Sequence, residues 1–468
     1  MKGTELCFLT IAEAGRLMKA KKLSPVELTE AYLARIDAID SRVDSYITVT
    51  AEQALKDARA AESEIAAGRY RGPMHGIPYG PKDIIDTKDI PTTSCSKLDA
   101  DRVPTEDATC VAKLKEAGAV LLGKLSCQEF ASNGPCFDLP WPPARNPWNR
   151  NHSPGGSSSG SGAAVAAGLA MGALGTDTGG SIRNPSSLCG IAGLKPTYGR
   201  VSRRGVITNS WTLDHVGPMC WTAEDCALML GPMSGYDPED PGSADEPVPD
   251  FTAKLGKDLK GVNVALARRY YEEQYHANDE IRAAMAEAVK VLKSLGATVE
   301  EPELPPLIDY ILVRQVIGQA EFYAVHEKDF QQRFLDYGQN ISHRNAYGGV
   351  MRAVDYIQAQ RKRLILIRRT TEVLKNYDAL LLPNHYGPAP LLEPKERGSG
   401  HLSLTGTYNM TGHPSLAVCN GFTKSGFPLS MQVVSNYFDE ASAFRIGHAF
   451  EQTTSWRSKR PSFAEAVA

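Results

Sequence analysis

The chain has little that would tie it to a membrane, a nucleic acid or a metal. No apolar run is long enough to span a bilayer. The longest stretch of low charge, roughly residues 155 to 182, is rich in glycine and serine and poor in large apolar side chains. The opening residues, MKGTELCFLTIAEAGRL, lack the apolar core of a secretory leader, so no signal peptide is expected. Charge of one sign is not in excess. A net charge of -3 gives no reason to expect nucleic acid or an anionic membrane as partner. There is no HExxH or similar spacing to hold a metal. The nine cysteines, at 7, 95, 110, 127, 136, 189, 220, 226 and 419, are odd in number and form no CxxC. That argues against a disulfide framework and a zinc ribbon. They read as reduced thiols, mostly buried, in a cytoplasmic protein. No tandem repeat is present.

What remains is the composition of an ordinary globular protein, 42% hydrophobic and 22% charged. At 468 residues, length alone predicts two or three domains. Ser24-Pro25-Val26-Glu27 reads as a capping box with proline at the first helical position, opening LTEAYLARIDAI. Thr50 opens a second helix that stops at Gly68. DATCVAKLKEAG (107 to 118) reads as a helix, and AVLLGKL after it as a buried strand. The rhythm of strand, helix and glycine returns at GVNVALA (261 to 267), at 281 to 295, where Ile281, Met285, Ala288, Leu292 and Leu295 share one face, and at ATVEE. Acidic, proline-rich residues between about 235 and 260 read as an exposed connection. Residues 309 to 375 read as long amphipathic helices, and DALLLP (378 to 383) as a buried strand. One large mixed sheet covered by helices is the expected architecture.

Several motifs compete for the chemistry. Gly118 to Lys124 matches GxxxxGK, but Leu125 stands where a phosphate loop needs Ser or Thr, and the middle residues are a strand-like apolar run. Gly156-Ser157-Ser158-Ser159-Gly160 matches GxSxG, but RNPWNRNHSPG before it is no strand. His385, His413 and His448 lie downstream, each as well explained by a surface or hydrogen-bonded core position. Lys82, in HGIPYGPKD, is a surface charge by default. Its apolar neighbours Ile77, Tyr79 and Ile84 make burial plausible, and a buried lysine shifts toward a neutral, basic amine. SPGGSSSGSGAAVAAGLAMGALG (153 to 175) reads alone as a linker, yet it runs into a small-residue helix and a second glycine-serine site. That site is GTDTGGSIRNP (175 to 185). If Ser181 attacks a carbonyl, the amides of Thr178, Gly179, Gly180 and Ser181 could turn toward the oxygen, because Gly179 and Gly180 have no side chain to block approach. A simple glycine-rich turn is the competing reading. Asp177 and Arg183 flank the turn and could pair to brace it.

Taken together, GIPYGPKD, RNPWNRNHSPGGSSSGSGAAVAAG and GTDTGGSIRNPSSLCGIAGLKPTYGRVSRRG resemble the amidase signature family, as do LDHVGPM (213 to 219), SLTGTYNMTGHPSLAV and GFPLSMQVV. The resemblance covers nearly the whole chain. It implies one domain over 1–468, with a helical region at 1–68, a catalytic core at 69–235 and a second α/β portion at 260–468. It also implies a single mixed sheet with helices on both faces and a Ser–cis-Ser–Lys triad. Ser181 is then the nucleophile, Ser157 the bridging serine after a cis peptide bond, and Lys82 the general base. The backbone around Ala131, with Ser132 and Asn133, should face the substrate, and Asp177, Arg183 and Ser158 should support the site. Pro81 and Ser159 depart from the residues commonest at their places, and neither removes a catalytic group. The implied activity is hydrolysis of a carboxamide, with anilides, carbamates or small esters open to the same acyl chemistry, and with no metal or cofactor. The implied partner is a small-molecule amide, and a homodimer is a family-level expectation. One alternative is the amidase component of a tRNA-dependent amidotransferase, releasing ammonia from glutamine. Others are a non-catalytic binding protein on this scaffold and, more remotely, an unrelated α/β-hydrolase esterase. Phe130, Phe137, Trp141, Trp211 and the aromatics between 310 and 350 suggest an apolar pocket wall, or equally core positions.

Overall fold

The apolar segments assemble into a ten-stranded mixed sheet in a computed structural model that describes residues 3–132, 134–256, 258–393 and 404–461. Across the sheet the strands run Val120–Leu121, Pro78–Pro81, Gly172–Asp177, His215–Cys220, Ala192–Lys195, Ser415–Phe422, Pro428–Ser435, Ala379–Pro383, Asn263–Leu266 and Thr298–Glu300. Pairing is parallel at both ends of the sheet and antiparallel through the middle. Strands thus come from both the 69–235 and the 260–468 portions.

Side chains alternate between the faces of a strand, so a strand buried at every residue is covered on both sides. That holds for Gly172–Asp177, His215–Cys220, Pro428–Ser435 and Ala379–Pro383. The helix Asp279–Ser294 turns Ile281, Met285, Ala288 and Leu292 inward, as its periodicity requires. Fully burying a side chain the size of Ile281, Met285 or Leu292 contributes roughly 1.5–3 kcal/mol. The helix Ser159–Ala167 is buried all round. Its lack of bulky side chains is what lets it sit there: a Cβ on Gly160 would lie 2.5 Å from Ser45 O and 2.6 Å from Ser126 N. The long helices Leu307–Gln332 and Ala353–Leu374 pack together beside the Ser181 turn. Among the described residues no helix is long and apolar enough to cross a membrane.

Two local expectations need correction. AVLLGKL is not one strand. Gly123, at φ +153, breaks it, and Gly123–Leu125 pairs instead with Tyr46–Val49 in a separate two-stranded sheet. Ser24 does cap the helix Pro25–Ile39, accepting from Val26 N and Glu27 N, but its hydroxyl donates to Glu62 rather than forming a reciprocal pair with Glu27. A complete capping box stands earlier, between Thr10 and Glu13.

Candidate active site

Lys82 follows the strand Pro78–Pro81, and its backbone N–H donates to Leu174 O of the neighbouring strand at 3.0 Å. The sheet therefore fixes the side chain under the turn that follows Gly172–Asp177. Its Nζ is fully buried, 2.8 Å from Ser157 Oγ and 2.7 Å from Thr176 Oγ1. Both partners are neutral hydroxyls. Burial thus acts with little to oppose it and pushes the amine down to about 8.

Ser157 follows a cis peptide bond to Gly156. Its carbonyl accepts from Gln128 N at 3.0 Å. The next residue ties three elements together. Ser158 N donates to Ser181 O at 3.2 Å, Ser158 Oγ donates to Thr176 O, and Thr176 N donates back to Ser158 Oγ. Ser157 is thereby held between Lys82 and the backbone of Ser181.

The 178–183 turn is built around Asp177. Its carboxylate accepts from Gly180 N at 2.7 Å, Ile182 N at 3.1 Å, Asn409 Nδ2 at 2.8 Å and both ends of the Arg183 fork at 3.0 Å. Burial would raise this carboxyl, but the Arg183 guanidinium and these donors outweigh it and hold Asp177 well below the usual carboxylate range. Arg183 also donates to Thr405 O and Gln432 Oε1, so the buried pair has no loose end. Gly180 lies at φ +122, and a Cβ there would fall 1.9 Å from Thr405 Oγ1. Only glycine fits.

This arrangement corrects one detail of the expected oxyanion site. The Gly180 amide turns inward to Asp177, away from the cavity. The Gly179 and Ser181 amides have no partner among the described residues. Phe130 and Ala131 both hold left-handed backbone, at φ +43 and +59. The Ala131 carbonyl accepts from Asn209, and Ser132 Oγ accepts from Asn345. Asn133 lies outside the described residues.

A cavity of about 230 Å³ opens over the turn, lined by Ala131, Ser132, Gly156, Thr178 to Ser181, and residues of the Leu307–Gln332 helix. The Ser181 hydroxyl lines it and forms no hydrogen bond among the described residues. Of the two links in the expected relay, Lys82–Ser157 is made and Ser157–Ser181 is not. The expected apolar wall is absent. Phe130 is in a core cluster, Phe137 is exposed, Trp141 packs on the main core, and Trp211 lines a separate cavity. Phe322 alone brings an aromatic face, among Asn184, Asn209, Gln315, Gln319 and Arg314. Sequence reasoning missed Thr176, although it stands in the GTDTGG run, because a threonine carries no distinctive chemistry. It missed Arg314 because one arginine in a helical run normally faces water. No histidine lines this cavity among the described residues. Lys124, the end of the GxxxxGK match, is buried and donates to Ile85 O, Thr87 Oγ1 and Thr92 Oγ1, so it is a packed structural lysine.

The family model described as Amidase matches residues 27–444. A glutamyl-tRNA(Gln) amidotransferase subunit of Geobacter sp. (strain M21) is 39% identical over 486 residues, covering 97% of this chain and 99% of that protein. Among solved structures, one from a vestigial protein complex bearing on the origins of an s-triazine catabolic enzyme superposes with TM-score 0.89 at 30% identity, covering 95% of this chain and 98% of its own. Native peptide amidase from Stenotrophomonas maltophilia superposes with TM-score 0.83 at 30% identity, covering 97% of this chain and 98% of its own. The chain belongs to the amidase signature family and is an enzyme acting on carbon–nitrogen bonds other than peptide bonds.

Proposed function

We propose that the protein hydrolyses a carboxamide through an acyl-enzyme on Ser181, with Ser157 as relay and Lys82 as base. The observation that carries this reading is Lys82 Nζ: buried, pushed down to about 8, and 2.8 Å from Ser157 Oγ. A neutral amine donates one N–H to Thr176 and accepts the Ser157 proton on its lone pair. Ser157 in turn takes the proton of Ser181. The Ser181 oxygen then attacks the amide carbonyl, and the carbonyl π pair moves to oxygen. The Gly179 and Ser181 amides suit that oxyanion, with Thr178 beside them. As the C–N bond breaks, the relay returns its proton to the nitrogen, which leaves as amine or ammonia. Water then attacks the ester, gives its proton to the relay, and the acid departs with Ser181 restored. Ser157–Ser181 is the link that substrate binding has to close, since catalytic hydrogen bonds commonly tighten only in the bound complex.

A second reading stays within this chemistry. Curated relatives that match at near full coverage are amidotransferase subunits. They favour an ammonia-releasing component working on glutamine with partner chains over a stand-alone amidase. Nine unpaired, buried cysteines support a reducing compartment such as the cytoplasm. The test is a panel of amides, anilides, carbamates and glutamine with wild type and Ser181→Ala, alongside purification from native cells. Turnover of simple amides by the isolated chain supports a stand-alone amidase. Glutaminase activity and a co-purifying partner support the amidotransferase reading. Activity surviving Ser181→Ala overturns both.

A further inference from the structure

We infer that the substrate is an amide bearing a free carboxylate and no ammonium group, with Arg314 holding the carboxylate; this rests on the reading of Ser181 as the attacking group in a stand-alone amidase, not in a glutamine-dependent subunit. Arg314 projects from the helix Leu307–Gln332 into the cavity that Ser181 lines. Two glycines make room for it. A Cβ on Gly179 would lie 2.8 Å from Arg314 Nη1, and one on Gly406 would lie 2.7 Å from its Cδ and Nε. The guanidinium thus rests against the residue that offers an oxyanion amide.

Its charge is unmatched. Among the described residues Arg314 forms no hydrogen bond and no ion pair. Asp177 is the acid whose charge bears on it, and that carboxylate is already engaged by Arg183, Asn409 and the Gly180 amide. Arg183, by contrast, is fully partnered by Asp177, Thr405, Gln432 and Asn409. A guanidinium in a half-closed cavity without an anion is a site for one, and its planar fork matches a carboxylate with two parallel hydrogen bonds.

The rest of the lining argues against an amino-acid substrate. None of the described lining residues is Asp or Glu; the other polar side chains there are neutral amides and hydroxyls. The sequence from Arg397 to Phe438, which includes Thr405 beside the turn, also contains no acid. Asp138, the acid nearest Asn133 on its C-terminal side, accepts from Gln339 N. Among the described lining residues, none is therefore in place to pair with an ammonium group. A volume of about 230 Å³ falls below the usual range for drug-sized ligands, ~300–1,000 Å³, and suits a small monoamide of a dicarboxylic acid.

The experiment uses succinamate as the anionic amide, butyramide as its neutral counterpart, and glutamine as the zwitterion. Calorimetric binding to Ser181→Ala reads recognition without turnover. Succinamate should bind at least about tenfold more tightly than butyramide or glutamine, and Arg314→Met on the Ser181→Ala background should remove about 10- to 100-fold of that affinity. Arg314→Lys should restore part of it, since the charge returns without the fork. With Ser181 intact, Arg314→Met should raise KM for succinamate and lower its kcat/KM far more than that for butyramide. Glutamine binding more tightly than succinamate, or equal loss for succinamate and butyramide with a lowered melting temperature, would overturn the proposal. Butyramide turnover that is lost in Ser181→Ala upholds the catalytic reading whatever Arg314 does, so the two ideas fail separately.

Discussion

Protonating Lys82 should switch the enzyme off, and the pH at which this happens follows from its burial. The amine stands at about 8 instead of 10.5, because the site offers it hydroxyls and no adjacent carboxylate. Only the neutral amine can accept the Ser157 proton. With that value, about a tenth of the enzyme is competent at pH 7 and about a hundredth at pH 6. Thus kcat/KM should climb about tenfold per pH unit from 5 to 7 and level off above about 9. The same group reports on stability. Its folded value is depressed, so between about 8 and 10.5 the unfolded chain holds a proton that the folded chain lacks. Stability should fall as pH drops through that window and change no further, on this account, below it. The drop from 10.5 to about 8 corresponds to about 3 kcal/mol. Lys82→Met should abolish turnover yet unfold at pH 7 no more easily than wild type. The relieved desolvation outweighs two lost hydrogen bonds at about 1 kcal/mol each. Lys124 is also pushed down to about 8 by burial, so the stability difference between wild type and Lys82→Met, not either curve alone, isolates Lys82. Steady-state kinetics from pH 5 to 10 and urea unfolding are the assays. A flat rate profile between pH 6 and 9, or a Lys82→Met protein that keeps its activity, would refute the reasoning.

Other outcomes follow from the same geometry. Ser157→Ala and Ser181→Ala should each lose about 10³-fold or more in kcat with unchanged melting temperature, and the double variant should be little worse, because the groups act as a unit. Gly180→Ala should cost both activity and melting temperature, since its Cβ would overlap Thr405 Oγ1 at 1.9 Å in a backbone conformation suited to glycine. Arg183→Met leaves Asp177 charged and buried, so urea unfolding should show a loss of about 3–5 kcal/mol. A loss under about 1 kcal/mol would contradict that role.

Lys82 could be singled out by its apolar neighbours and Ser181 by the two glycines before it, while the roles of Lys82, Ser157 and Ser181 came only from the resemblance. The Asp177–Arg183 brace was legible because it is local in sequence. Its other partners were not, since Asn409 and Gln432 reach the turn from more than two hundred residues away. The inward turn of the Gly180 amide depends on one backbone rotation, which no composition reveals. AVLLGKL misled because an apolar run gives no sign of a register break, even with Gly123 inside it. The pocket was least legible of all. Aromatic residues suggested an apolar wall, while the lining is mostly amides, hydroxyls and one arginine drawn from distant segments.

Mass spectrometry of enzyme quenched during turnover of an amide substrate tests the nucleophile directly. The account requires an adduct with the mass of the acyl group on the peptide that carries Ser181, and none on Ser181→Ala. An acyl group on another side chain, or amine release in a single turnover with no adduct at any time, would contradict it.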